Sequence, residues 1–266
     1  KKMIRALTYK FFKFFYIYIS LFLPKKLRLN KTEGLNFRRV DFSNYKKIKV
    51  LIFKNNFINY DNETSINNFD FLNYALKIGG KRGIEIAKDN IFLWYKKNKF
   101  KNNDLWLSEV IASRILNLIY NYEFINSLSS KKEKKKLNNI LALHIIRFNF
   151  ETFFKKDHEL STQELKAKLL VCLLANKKIF NYENKFNKII EKQVDSFSLH
   201  KSYNLVDQSK FINDITEIID IILRFNFDVP EIFLITKIKM ATALSQYFHK
   251  DGSVALFNGS HNYHLN

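Results

Sequence analysis

Side chains capable of acid–base chemistry gather near the end of the chain. Four of them fall within 15 residues of sequence: His249, Asp251, His261 and Tyr263. Histidine, aspartate and tyrosine are residue types that act as general acids and bases. Breaks at 251–252 (Asp-Gly) and 258–259 (Asn-Gly) flank a short apolar run, in a chain with only 6 glycines. This pattern predicts a shaped loop that follows a helix whose stripe holds Ala241, Leu244, Tyr247 and Phe248.

The elements that lead to this loop read as helices. Only 2 prolines and 6 glycines interrupt the chain, and from about residue 67 apolar residues recur at helical spacing. Gly79-Gly80 ends a first stripe, so the run 79–83 (GGKRG) is interpreted as a helix C-cap and turn rather than a phosphate loop. The pattern predicts eight or nine helices in antiparallel hairpins, which fit an α/α toroid or an irregular helical bundle.

Local signals place several helix ends. Asp104 is predicted to cap a helix that runs to about Asn126, and the run 131–136 (KKEKKK) to form a solvated turn and helix start. Residues 161–164 (STQE) form a capping box. Pro230 is placed at the first position of the last helix.

Residues 1–66 are predicted to be an N-terminal extension ahead of a helical domain spanning 67–266. Residues 4–23 are basic and then apolar, but Lys10 and Lys13 leave only 14–23 uninterrupted, which is too short to span a bilayer. We expect a basic amphipathic helix that contacts a membrane surface peripherally, with a signal anchor as the alternative. Because the sequence opens with Lys-Lys and ends directly after the loop, we expect a fragment of a longer protein.

The formal net charge of +20, from 45 Lys and Arg against 25 Asp and Glu, indicates an acidic partner or a biased composition. The acidic partners considered are nucleic acid, an anionic membrane and an acidic polysaccharide. Lysine far outnumbers arginine, which disfavours a dedicated nucleic-acid binder. One cysteine excludes an internal disulfide or a thiolate metal cluster, and no helix carries metal-ligand spacing, so neither metal nor cofactor is predicted.

Two polar residues lie on or beside apolar helix stripes. His144 shares a face with Ile140 and Phe148, which is typical of a core histidine. Arg114 lies close to the stripe of its helix. It is either a snorkelling or paired arginine at the rim of the core, or a cation that faces a ligand.

Three segments carry a resemblance to a known family. The segment 240–259 resembles a segment of the heparinase II/III-like polysaccharide lyases. The resemblance lies in its two runs His249-Lys250-Asp251-Gly252 and Ala255-Leu256-Phe257-Asn258-Gly259. Residues 106–118 and 165–174 are similar to two of that family's helices. The resemblance covers about residues 67–266. It implies an all-α, incomplete (α/α) toroid of helical hairpins, followed in the family by a C-terminal β-sandwich that this chain does not contain.

The resemblance implies β-elimination at a uronic acid of an acidic polysaccharide, which needs a base and a group that neutralises the carboxylate. It brings in a second loop, 195–204 (DSFSLHKSYN), which corresponds to a family loop but lacks its glycines and carries Ser198 where histidine is expected. The candidate catalytic residues are Tyr203, His200, His249 and Tyr263. The candidate substrate-binding residues are Arg114, Lys201, Asp195, Asp251 and Asn258.

Other functions stay open from the sequence. A non-catalytic basic helical module could bind acidic glycans or an anionic membrane. No known nucleic-acid-binding module is present, so nucleic acid is not expected as a partner. The resemblance implies a location in the cell envelope or periplasm, with the cytoplasm as the alternative. Convergence of both loops with Arg114 on one concave face is what the lyase hypothesis requires.

Overall fold

The computed structural model describes residues 66–101, 103–156, 159–174 and 182–249. Within these ranges the regular elements are all helices, so the all-α prediction is confirmed. The chain divides between Phe154 and Lys155 into two compact units, here called unit 1 and unit 2. Residues 251–263, and the predicted extension before Ile66, lie outside the described residues.

Unit 1 is built from five α-helices in its described part, with a 3₁₀ turn at Asp104–Trp106 before the third. They are α1 Phe71–Ile78, α2 Gly80–Asn98, α3 Ser108–Tyr120, α4 Tyr122–Asn126 and α5 Lys131–Phe153. The α1 helix packs on α2 and α3, and α3 packs along α5. Their apolar stripes form a common core, as amphipathic helices require.

The corner between α1 and α2 uses two glycines for different reasons. Gly79 has φ of 68°, and its N–H donates to Ala75 O at 3.0 Å, so it caps α1 as predicted. Gly83 lies where a Cβ would come within 2.3 Å of Ala75 O. The glycine-rich run is therefore a helix cap followed by a close helix approach, and α2 begins already at Gly80.

The prediction of a single helix from Asp104 to about Asn126 is wrong. Asp104 opens the 3₁₀ turn, and Leu107 follows in an extended conformation with ψ of 145°. Asn121 breaks the helix again with φ of −101° and ψ of 10°. Its side-chain amide donates to Asn117 O at 3.0 Å, which illustrates how asparagine competes for helix carbonyls. The apolar periodicity continues across both breaks and so conceals them.

Unit 2 contains four helices among its described residues: α6 Thr162–Leu174, α7 Tyr182–Gln193, α8 Leu205–Arg224 and α9 Glu231–Ser245. The α8 helix packs against both α6 and α9. The predicted capping box before α6 is confirmed, since Ser161 N donates to Glu164 Oε2 at 2.8 Å and Glu164 N to Ser161 Oγ at 3.3 Å.

The last helix differs from its prediction at both ends. Pro230 is the N-cap of α9 rather than its first residue. The helix ends at Ser245, before Tyr247 and Phe248, and Ala241 is exposed, so the predicted stripe is not one buried face. None of the helices in the described ranges is long and apolar enough to cross a membrane.

Candidate functional site

The loop between α7 and α8 is a compact, hydrogen-bonded turn. Val194 and His200 form an isolated antiparallel bridge, and Lys201 N donates to Gln193 O at 2.7 Å. Ser198 and Tyr203 adopt positive φ values of 65° and 51°, which are uncommon for residues other than glycine. A loop without glycine therefore holds a tight path through specific hydrogen bonds.

Asp195 organises this loop from within. Its Oδ1 accepts hydrogen bonds from the backbone N–H groups of Phe197 at 2.9 Å and Leu199 at 2.8 Å. Such side-chain-to-backbone bonds are typical of aspartate in turns. The geometry gives Asp195 a positioning role, and its binding of substrate stays a prediction.

Gln208 on α8 fixes the loop to the helices, and sequence reasoning missed it. Its Oε1 accepts from His200 N at 2.6 Å, while its Nε2 donates to Ser198 O at 3.0 Å and Met240 O at 2.9 Å. Gln208 is 1% exposed. An inward glutamine within the apolar stripe of α8 was the available signal, since a buried amide needs partners.

His200 is held in one tautomer. Its Nδ1 accepts from Ser202 N at 3.2 Å and lies 2.8 Å from Ser202 Oγ. Because a backbone N–H can only donate, Nδ1 is unprotonated and Nε2 carries the proton of the neutral ring. Burial lowers the pKa of His200, and the Asp207 carboxylate acts in the opposite direction. The ring therefore offers a neutral N–H donor near pH 7.

A cavity of about 210 Å³ adjoins the loop, and its lining is mostly apolar with a few polar groups. It is lined by Leu199, His200, Tyr203, Asn204, Leu205, Gln208 and Tyr247. The structure thus brings together two of the predicted catalytic residues, His200 and Tyr203. Concave sites with a few convergent polar groups are the usual setting for small ligands.

Lys201 and His249, like Asp195, are predicted site residues of unit 2 that do not line this cavity. Lys201 donates from Nζ to Glu191 O at 2.7 Å. His249 is exposed and lies two residues beyond the lining residue Tyr247. The predicted residues Asp251, Asn258 and Tyr263 lie outside the described residues, as does His261.

Arg114 lies in the core of unit 1 and is fully buried. Its Nη1 donates to Asn67 O at 2.8 Å and its Nη2 to Leu105 O at 2.6 Å. The guanidinium stacks over Trp94 and Trp106, at 4.3 Å and 4.9 Å from the ring centroids. These contacts give Arg114 a packing role that neither sequence interpretation described, and substrate binding by it stays a prediction that the geometry does not support.

His144 and Arg147 belong to the same cluster. The His144 ring lies 5.1 Å from Trp106 between centroids, and its Nδ1 donates to Ile140 O at 2.8 Å, which confirms the predicted core histidine. Arg147 lies 3.7 Å from the centroid of Trp106. Burial, followed by the charges of Arg114 and Arg147, lowers the pKa of His144 well below its ordinary value, although its bond to Ile140 O opposes this.

Comparison with known proteins identifies no relative: scans against protein-family models, curated proteins and solved structures each return no match. The resemblance to the heparinase II/III-like lyases therefore depends on the residues quoted above. Across the described part of the chain, no group of three or more His, Cys, Asp or Glu residues is arranged to hold a metal ion.

Proposed function

We propose that the cavity beside the 195–204 loop binds a uronic acid residue of an acidic polysaccharide. The observation that carries this proposal is the placement of His200 and Tyr203 in the lining of one cavity. A neutral N–H donor and a phenol are the types of group that recognise a carboxylate and move a proton beside it. The net charge of +20 would attract such a polymer.

We further propose that the chain is the helical part of a heparinase II/III-like polysaccharide lyase, with the incomplete (α/α) toroid of that family. Its location would be the cell envelope or periplasm. This reading rests on the segments that resemble the family. In this proposal the predicted loop after His249 and the family's sandwich domain would complete the groove.

The chemistry would be β-elimination. His200 Nε2–H would hydrogen-bond the uronate carboxylate and so make the proton on C5 more acidic. Tyr203, acting in its deprotonated form, would take that proton as the base, a C4=C5 double bond would form, and the C4–O bond would break. The departing oxygen would then take up the proton from the Tyr203 hydroxyl, which restores the base.

Gln208 would act as a positioning residue in this scheme. Both of its amide hydrogens and its oxygen are engaged with the loop and α9. It therefore has a structural task in holding His200 N and Ser198 O. Its role is to keep the loop in the shape that presents His200 and Tyr203.

The test is elimination from a panel of uronate polymers, followed by the ultraviolet absorbance of the unsaturated product. Tyr203→Phe removes the proposed base, and we expect about a 10²- to 10⁴-fold loss of rate with binding retained. The matched control is Tyr95→Phe, which removes a hydroxyl from unit 1. Equal rates for Tyr203→Phe and the control would contradict the assignment of Tyr203.

The alternative function is a non-catalytic basic module that binds acidic glycans. Its signature is binding of uronate polymers without any unsaturated product. Absence of both binding and product would contradict the lyase and the glycan-binding module together.

A further inference from the structure

A separate surface of unit 1 combines dense positive charge with an exposed apolar side chain. Exposed lysines occupy five of the first six positions of α5: Lys131, Lys132, Lys134, Lys135 and Lys136. Leu128, three residues before the helix, is 59% exposed. We call these six residues the lysine–leucine surface.

The charges on this surface oppose the stability of their own helix. Cations near a helix N-terminus interact unfavourably with the helix dipole. Lys131 and Lys135, like Lys132 and Lys136, are also like-charged pairs at i and i+4, which destabilise a helix. A local arrangement that contradicts folding preferences is a mark of a functional surface.

The helix start is secured by other contacts. Ser130 and Glu133 form a complete capping box, and Glu133 Oε1 also pairs with Lys88 Nζ at 2.8 Å. The hydrogen bond from Lys88, followed by those from Ser130, lowers the pKa of Glu133 to about 2. The single acidic residue of the run therefore points its charge at α2 and the cap. Lys136 Nζ also approaches α2, at 3.7 Å from the centroid of the Phe92 ring, and the other four lysines of the run are exposed to solvent.

Leu128 is displayed on an ordered turn. Ser127 Oγ donates to Phe124 O and Ser129 Oγ to Ile125 O, each at 2.8 Å. Ser129 N also donates to Asn126 O at 3.1 Å. These bonds on both sides fix the backbone around the exposed Leu128, which precedes the first lysine of α5 by three residues.

We propose that the lysine–leucine surface docks on an anionic lipid bilayer, with Leu128 entering the headgroup region and the lysines facing the lipid phosphates. Each lysine near such a surface raises the partition coefficient about fivefold. A soluble polyanion would satisfy the lysines but leave Leu128 in water, whereas a bilayer interface accommodates both. The proposal concerns unit 1 and is independent of the cavity in unit 2.

The electrostatic half is tested by sedimentation of the whole chain with phosphatidylcholine vesicles that contain or lack phosphatidylserine. The triple variant Lys131→Gln, Lys132→Gln and Lys135→Gln is expected to lower the partition coefficient on the anionic vesicles about 100-fold. A control with the same charge change replaces the exposed Lys96, Lys97 and Lys101 by glutamine. Equal losses in the two triple variants would overturn the proposal, because net charge alone would then explain binding.

The apolar half is tested by Leu128→Ser, which leaves every charge in place. We expect roughly a fivefold loss of partitioning, since about half of a leucine side chain leaves the interface. Leu107→Ser is the control, because Leu107 is also exposed, at 49%, and lies elsewhere in unit 1. Wild-type binding by Leu128→Ser, or binding to a soluble polyuronate with none to vesicles, would overturn the bilayer as the partner.

Discussion

At the scale of single residues, the positions of polar groups depend on a few buried side chains. Gln208 is the clearest case in unit 2, because one amide holds two loop residues and the carbonyl of Met240. Its replacement by an apolar residue of similar length would leave three backbone groups without their partner. An unsatisfied buried group of this kind costs about 1–3 kcal/mol.

We therefore expect Gln208→Met to lower the free energy of unfolding of unit 2 by about 2–4 kcal/mol. It should also weaken uronate binding, since His200 loses its backbone anchor. Urea unfolding followed by far-ultraviolet circular dichroism measures the first effect. The control is Gln246→Met at an exposed position, and an equal effect of both variants would show that the amide contacts are unimportant.

At the scale of elements, α6 and α8 are joined by a buried polar network. Lys166 is fully buried; its Nζ lies 2.7 Å from Asp214 Oδ1 and also pairs with Glu217. Thr162 Oγ1 donates to Asp214 Oδ2 as well. Removal of one partner from a buried ion pair leaves an uncompensated charge, which is strongly unfavourable.

Lys166→Met is accordingly expected to destabilise unit 2 by about 3–5 kcal/mol. Addition of Asp214→Leu to this variant should recover part of the loss, because it removes one of the two carboxylates left behind. Lys210→Met serves as the control, since that lysine side chain is 70% exposed. Chemical unfolding measures the free energy of unfolding of each variant. If the losses caused by Lys166→Met and Asp214→Leu simply add in the double variant, the network is contradicted.

The sequence predicts the presence of the helices more accurately than it predicts where each helix begins and ends. The stop at Gly79 and the capping box at Ser161 follow from chemistry that is local to a few residues. The breaks at Leu107 and Asn121 could not be read, because the apolar stripe runs on through them. The ring stack that surrounds Arg114 was also hidden, since stripe patterns say which face is buried but not which side chains meet there.

At the scale of the whole molecule, the two units differ in a way that experiment can exploit. Both tryptophans of the chain, Trp94 and Trp106, lie in the buried cluster of unit 1. Tryptophan fluorescence therefore reports on unit 1, and circular dichroism on the helices of both units. The division after Phe154 was not predictable, because helices with apolar residues follow one another on both sides of it without a change in composition.

The tryptophan cluster also makes unit 1 sensitive to acid. His144 is neutral when folded, because its pKa lies well below its ordinary value, and it faces Arg114 and Arg147. Below about pH 6.5 the unfolded chain binds a proton at this site that the folded chain does not. The free energy of unfolding therefore decreases as the pH is lowered. The loss should approach about 1.4 kcal/mol per pH unit between pH 6 and 5.

Urea unfolding by tryptophan fluorescence across this pH range measures the effect. His144→Phe should flatten the dependence, whereas His249→Phe, at an exposed position, should leave it unchanged. The same steep dependence in His144→Phe would assign the acid sensitivity to another group.

The central claim is that the cavity lined by His200 and Tyr203 recognises a uronate carboxylate. Titration calorimetry with a short oligouronate, and with the same oligosaccharide after its carboxyl groups are reduced to alcohols, tests it most directly. We predict binding of the acidic form only, and a loss of affinity of about tenfold or more in His200→Ala. The same-loop control Phe197→Ser, at a side chain that is 79% exposed, should keep the wild-type affinity. Equal binding of the acidic and reduced sugars, or unchanged binding by His200→Ala, would contradict it.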